Sequence, residues 1–149
     1  MAEAATLVWR GAQVVQTAPR LFLSDGAVDG VRLLKPQTLA LMTTNQLTDG
    51  QRAHATTLGI PTFATGNGFG LGVAVVTDPA TAAATHGKGG VCTVGWPGPC
   101  GGWWHADPTD GSVMILFQHN MVELEGLMKG HGLAGYAAIQ QFHASTASG

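Results

Sequence analysis

A catalytic serine needs a base within hydrogen-bond reach, and the common hydrolase motifs supply one at fixed spacing. Outside the last few residues, the serines of this chain are Ser24 and Ser112. Neither sits in Gly-x-Ser-x-Gly or Ser-x-x-Lys, and neither Lys35 nor Lys88 has a serine three residues before it. The single tyrosine, Tyr136, is followed by Ala137 and Ala138 and so forms no Tyr-x-Asn. The expectation is that no catalytic residue lies in this chain. The histidines His54, His86, His105, His119, His131 and His143 make no His-x-x-x-His and do not pair with cysteine at zinc spacing, so neither a metal nor a cofactor is expected. Gly66, Gly68, Gly70 and Gly72 alternate with larger residues. That spacing fits neither a dinucleotide loop nor a P-loop, and it reads as a strand. Cys92 and Cys100 are expected to be buried free thiols.

What remains is an abrupt strand end, Trp96-Pro97-Gly98-Pro99, followed by Gly101-Gly102-Trp103-Trp104-His105-Ala106-Asp107-Pro108 and the apolar run Val113 to Phe117. This order resembles the late part of serine hydrolases related to class C β-lactamases, penicillin-binding proteins and family VIII esterases. There a Lys-Thr-Gly or Trp-x-Gly motif on one strand walls the catalytic cleft. A second stretch, Asp29-Gly30-Val31-Arg32-Leu33-Leu34-Lys35-Pro36 running to Met42, resembles an element of the same family's helical subdomain. The resemblance covers residues 21 to 142 and implies a partial β-lactamase/transpeptidase-like fold. Trp96, Pro97 and Gly98 would form the cleft wall, and Trp103 would line the pocket. The family takes an oxyanion-hole N–H from the residue after the motif glycine. Here that residue is Pro99, which has no N–H, so that position is compromised. The family's Ser-x-x-Lys and Tyr-x-Asn motifs are missing. The resemblance therefore implies a C-terminal fragment of an acyl-transfer enzyme, inactive alone, with a small ester or amide as substrate only if completed. The missing N-terminal half, or a second copy, would be its partner. The alternative is a non-catalytic module that pairs with a partner chain through its sheet edge.

Composition bounds these readings. The chain has 149 residues, enough for one domain, and a net charge of −2 with no basic stripe, so nucleic acid is not expected as a partner. Charged residues make up 11%, far below the usual quarter or so, while hydrophobic residues make up 45%. That balance suggests apolar surface meant to be covered. No run approaches the roughly twenty apolar residues of a membrane span. Met1 to Arg10 does not read as a secretory signal, which favours the cytoplasm.

The elements that must hold the motif read as α+β. Residues 1–20 are unassigned, 21–143 form the C-terminal portion of the β-lactamase-like domain, and 144–149 form a frayed tail. Pro36 starts a short helix carrying Leu39, Leu41 and Met42. Residues 45–65 read as loop. The expected antiparallel sheet has three to four strands: one over Gly66 to Val76, one from Gly90 through the motif, and a hairpin of Gly102 to Ala106 with Ser112 to His119. Val113, Ile115 and Phe117 alternate with Met114 and Leu116, so the last strand should be covered on both faces. Its expected cover is a helix from about Met121 to Phe142.

Overall fold

A computed structural model describes residues 17–57, 60–63, 65–82, 89–97 and 102–117, together with Gly126, Lys129 and Gln141. The expected C-terminal helix, the tail, Gly98, Pro99 and Cys100 lie outside the described residues. The architecture is α+β, as the sequence leads one to expect.

Helix α1 spans residues 17–23 and ends in a turn at Asp25 and Gly26, both with positive φ. The hairpin of β1 (Ala27–Val28) and β2 (Val31–Arg32) turns through Asp29 and Gly30. Arg20 on α1 reaches this turn, with Nη2 donating to Asp29 Oδ1 at 2.9 Å. Helix α2 (Pro36–Met42) starts on its proline, whose missing N–H costs nothing in the first turn. It buries Leu39 and leaves Leu41 outside.

Residues 45–65 are more ordered than a loop. They contain helix α3 (Asp49–His54) and a small hairpin, β3 (Thr56–Thr57) with β4 (Ile60–Pro61). The helix is fixed by a capping box. Thr48 accepts from the Gln51 backbone N–H, and the Gln51 side chain accepts from the Thr48 N–H. This pairing satisfies two orphan donors at once and lets a polar six-residue segment hold a helical turn.

The main sheet has five antiparallel strands in sequence order: β5 (Asn67–Phe69), β6 (Ala74–Val76), β7 (Val94–Pro97), β8 (Trp103–Asp107) and β9 (Ser112–Leu116). The expected count of three to four is short because the Gly66–Val76 stretch folds into two strands, not one. Gly70 donates to the Val73 carbonyl at 2.8 Å and Gly72 takes φ +84°, which closes a hairpin between Phe69 and Ala74. Residues 91 and 92 likewise form a turn, so β7 starts at Val94 and not at Gly90. Cys92 sits in that turn at φ +68° and is exposed, which corrects the expectation of a buried thiol.

One sheet face carries the core of Val73, Val75, Val94 and Ala106, with Phe22, Leu23, Trp104 and Val113 packed against it. Helix α1 thus supplies the cover for this face. The strand buried on both faces is β6, where Ala74, Val75 and Val76 are all inaccessible. Strand β9, expected to be covered on both faces, is only half-buried, and Phe117 just after it is 62% exposed.

The two sheet edges differ. Segment 42–47 straps the outer side of β5: Gln46 N–H donates to the Phe69 carbonyl at 2.8 Å, Phe69 N–H to Asn45 Oδ1 at 3.2 Å, and Leu71 N–H to the Met42 carbonyl at 3.3 Å. Asn45 is held in place by its own turn, accepting from Leu47 N–H and donating to the Leu47 carbonyl. Beyond β9 no further strand lies among the described residues.

Candidate functional site

Register fixes where the motif residues go. Gly95 pairs with Ala74, at the start of β6, so Trp96 and Pro97 run past the end of that strand. On the other side they remain paired, Trp96 with Trp104 and Pro97 with Trp103. Paired residues share a face and successive residues alternate. Trp96 and Trp104 therefore lie on one face, and Trp103 on the other.

Trp96 is half-buried and meets two rings from outside β7. Its centroid is 5.0 Å from Phe69 in an edge-to-face arrangement and 6.4 Å from Phe63 in a stacked one. Phe63 and Phe69 are 5.5 Å apart. Each such pair contributes about 0.5–1.5 kcal/mol beyond area burial. The trio joins three elements: the residues after β4, the end of β5 and the end of β7. On the neighbouring strand Trp104 meets Phe22 of α1 at 5.6 Å in a tilted arrangement.

Trp103 does not join this wall. It is 2% exposed, and its indole N–H donates to Nδ1 of His105 at 3.0 Å. An indole nitrogen can only donate, so Nδ1 is the acceptor and the neutral imidazole carries its proton on Nε2. Of the other candidates, Ser24 lies in the turn after α1 and is exposed, and Ser112 opens β9 with its N–H donated to Asp110 Oδ1 at 2.8 Å. His54 is exposed at the end of α3. Among the described residues no three His, Cys, Asp or Glu side chains gather where they could hold a metal ion. No described helix is long and apolar enough to cross a membrane.

Two positioning features were not read from the sequence. The first is Arg52, whose Nε donates to the Phe63 carbonyl at 3.3 Å and so attaches α3 to the aromatic trio. The second is Asp107. It reads as the start of an acidic turn, yet it ends β8 at 2% exposure. Its Oδ2 accepts from Gly90 N–H at 2.8 Å, and its Oδ1 from Thr109 N–H at 2.8 Å and Thr109 Oγ1 at 2.6 Å. The carboxylate thus ties the loop entering β7 to the β8–β9 turn. Burial pushes its pKa up, but the Thr109 hydroxyl, the Gly90 and Thr109 N–H groups and the Thr93 hydroxyl together outweigh that and hold it below the usual value.

No family model matches the chain. Two curated proteins of Mycobacterium tuberculosis are similar to it: the uncharacterized protein MT1414 of strain CDC 1551 / Oshkosh and Protein Rv1367c of strain H37Rv. Each is 46% identical over 113 residues, which is 75% of this chain and 28% of the relative. The chain therefore spans little more than a quarter of the length of the curated relatives it matches.

Proposed function

We propose that the chain forms the sheet and cleft wall of a serine hydrolase of the class C β-lactamase, penicillin-binding protein and family VIII esterase type. The observation that carries this reading is the placement of Trp96. It stands half-buried at the end of β7, past the end of β6, with β8 and β9 following as consecutive antiparallel neighbours. That is where a cleft-wall motif needs its first residue: fixed by the sheet, with part of the ring left accessible. Trp96 lines the pocket, and Pro97 is the last residue of β7. Pro99, lacking an N–H, supplies no oxyanion donor. The described serines, Ser24 in a turn and Ser112 on β9, have no lysine three residues on. A nucleophile would come from sequence beyond the match, which makes up most of the relatives.

A fluorophosphonate probe and an activated ester test this. This chain alone should show neither covalent labelling nor turnover above background, and a longer chain of the relatives' type should be labelled at a serine outside the matched region. Absence of labelling in the longer chain sinks the hydrolase reading. Labelling of this chain that survives both Ser24→Ala and Ser112→Ala sinks the assignment of its role.

A second reading, an interaction module working through its sheet edge, is favoured by β9. The run Ser112 to Phe117 has no charge and no proline, and it ends the sheet among the described residues. Such an edge pairs readily with another strand. Sedimentation velocity should show concentration-dependent association, and Ile115→Lys should shift the chain towards monomer. A wild-type chain that stays monomeric at high concentration counts against this reading.

A further inference from the structure

We infer that Arg52 and the rings of Phe63, Phe69 and Trp96 form one binding site for an aromatic carboxylate, or another flat apolar acid, with its ring against Trp96 and its anionic end on the Arg52 guanidinium. The inference rests on Trp96 facing a ligand, as the cleft-wall reading has it, and needs no nucleophile.

The argument starts from the guanidinium. Arg52 lies in the last turn of α3 and is half-buried. Among the described residues, one of its five N–H donors is used, by Nε on the Phe63 carbonyl. The ion pairs of the described residues belong to Arg20 with Asp29 and Arg32 with Asp25, so no carboxylate among the described residues pairs with the fork formed by Nη1 and Nη2. An arginine held through Nε keeps its planar fork pre-oriented, and that fork matches a carboxylate with two parallel hydrogen bonds.

Its anchor decides what stands beside it. Phe63 gives its carbonyl to Arg52 and its ring to the trio, 5.5 Å from Phe69 and 6.4 Å from Trp96. Phe63 is buried, while Phe69 and Trp96 keep accessible area. The result is an apolar aromatic surface with a cation at its margin. A flat ligand would stack on the accessible rings, and its acid group would meet the fork. A neutral ligand would gain only the first of these contacts.

The probes are 2-naphthoate and its uncharged counterpart 2-naphthalenemethanol, titrated into the full chain and followed by amide chemical shifts. Naphthoate should bind about tenfold or more tighter, since a hydrogen-bonded charge pair is worth at least that factor. Arg52→Gln should bring the two ligands close to equal affinity, while Arg20→Gln, at an exposed ion pair, should leave the preference intact. Trp96→Ala should weaken both ligands, and Trp96→Phe should restore part of the loss if the alanine variant folds poorly. Equal affinities in the wild type, no binding of either probe, or a preference that survives Arg52→Gln would each overturn the inference. Because binding is read without acylation, failure of the hydrolase reading in the phosphonate test leaves this result to stand or fall by itself.

Discussion

Gly70→Ala is expected to destabilise the chain by about 1–3 kcal/mol or more, the range of overpacking in a region that cannot relax. A Cβ at this position would run into the Met42 carbonyl oxygen, which is backbone and already fixed by the Leu71 N–H. The methyl would have to push segment 42–47 off β5, and with it the hydrogen bonds from Gln46 and to Asn45 that hold Phe69. Gly72 is the control. It has φ +84° but nothing within 4 Å of a would-be Cβ. Gly72→Ala should therefore show only the left-handed backbone penalty of roughly 1–2 kcal/mol. Urea unfolding of the two variants separates steric from conformational cost. If Gly70→Ala is no worse than Gly72→Ala, the strap is not as tight as its contacts imply. The Phe69–Trp96 contact should loosen in Gly70→Ala, which tryptophan emission would report as a red shift.

Asp107→Asn should cost about 2–4 kcal/mol, because the carboxylate accepts three hydrogen bonds in a buried site and charged acceptors are worth about 1.5–3 kcal/mol apiece. The amide retains one acceptor oxygen and presents an NH2 to donors that need an acceptor. The same residue sets a pH dependence. Its folded pKa lies below the unfolded value, so its contribution is complete above the ordinary carboxylate pKa of about 3.9. That contribution is lost as pH falls through the lower, folded pKa. Stability should be flat in this respect near neutrality and fall below about pH 4. In Asp107→Asn the whole curve should sit lower and the acid limb should be shallower. An acid limb unchanged by the substitution would mean that other carboxylates carry it.

The parts of the fold that were legible in the sequence are those governed by local chemistry. Pro36 marks the start of α2, and the hairpin of Gly102 to Ala106 with Ser112 onwards forms as β8 and β9, its turn closed by Gly111 at φ +74°. The capping box of Thr48 and Gln51 was equally local and could have been read. It was passed over because α3 buries none of its residues, so no apolar stripe drew attention to it. The Gly66–Val76 hairpin was harder. Its period-two pattern runs through the turn, and the reversal depends on Gly72 taking a positive φ while Gly70 donates to the Val73 carbonyl, with the Met42 carbonyl packed against Gly70. Trp96, which the Trp-x-Gly motif singles out, packs against Phe63 and Phe69. Trp103 directly precedes Trp104 in the strand, so alternation sends it to the face opposite Trp96 and Trp104. Arg52 and Asp107 depend on partners 11 and 17 residues away, and no spacing rule reaches that far.

The strap along β5 has a consequence for stoichiometry. A sheet with two open edges can add copies at both ends and grow into a filament. Among the described residues one end is closed by Asn45, Gln46 and Met42, and β9 is the strand that ends the sheet on the other side. Two molecules joined through β9 would each turn a strapped β5 outward, and the ten-stranded product would have no edge left to offer. Were copies to pair edge to edge through β9, that association would stop at two, a growth-terminated pair and not a seed.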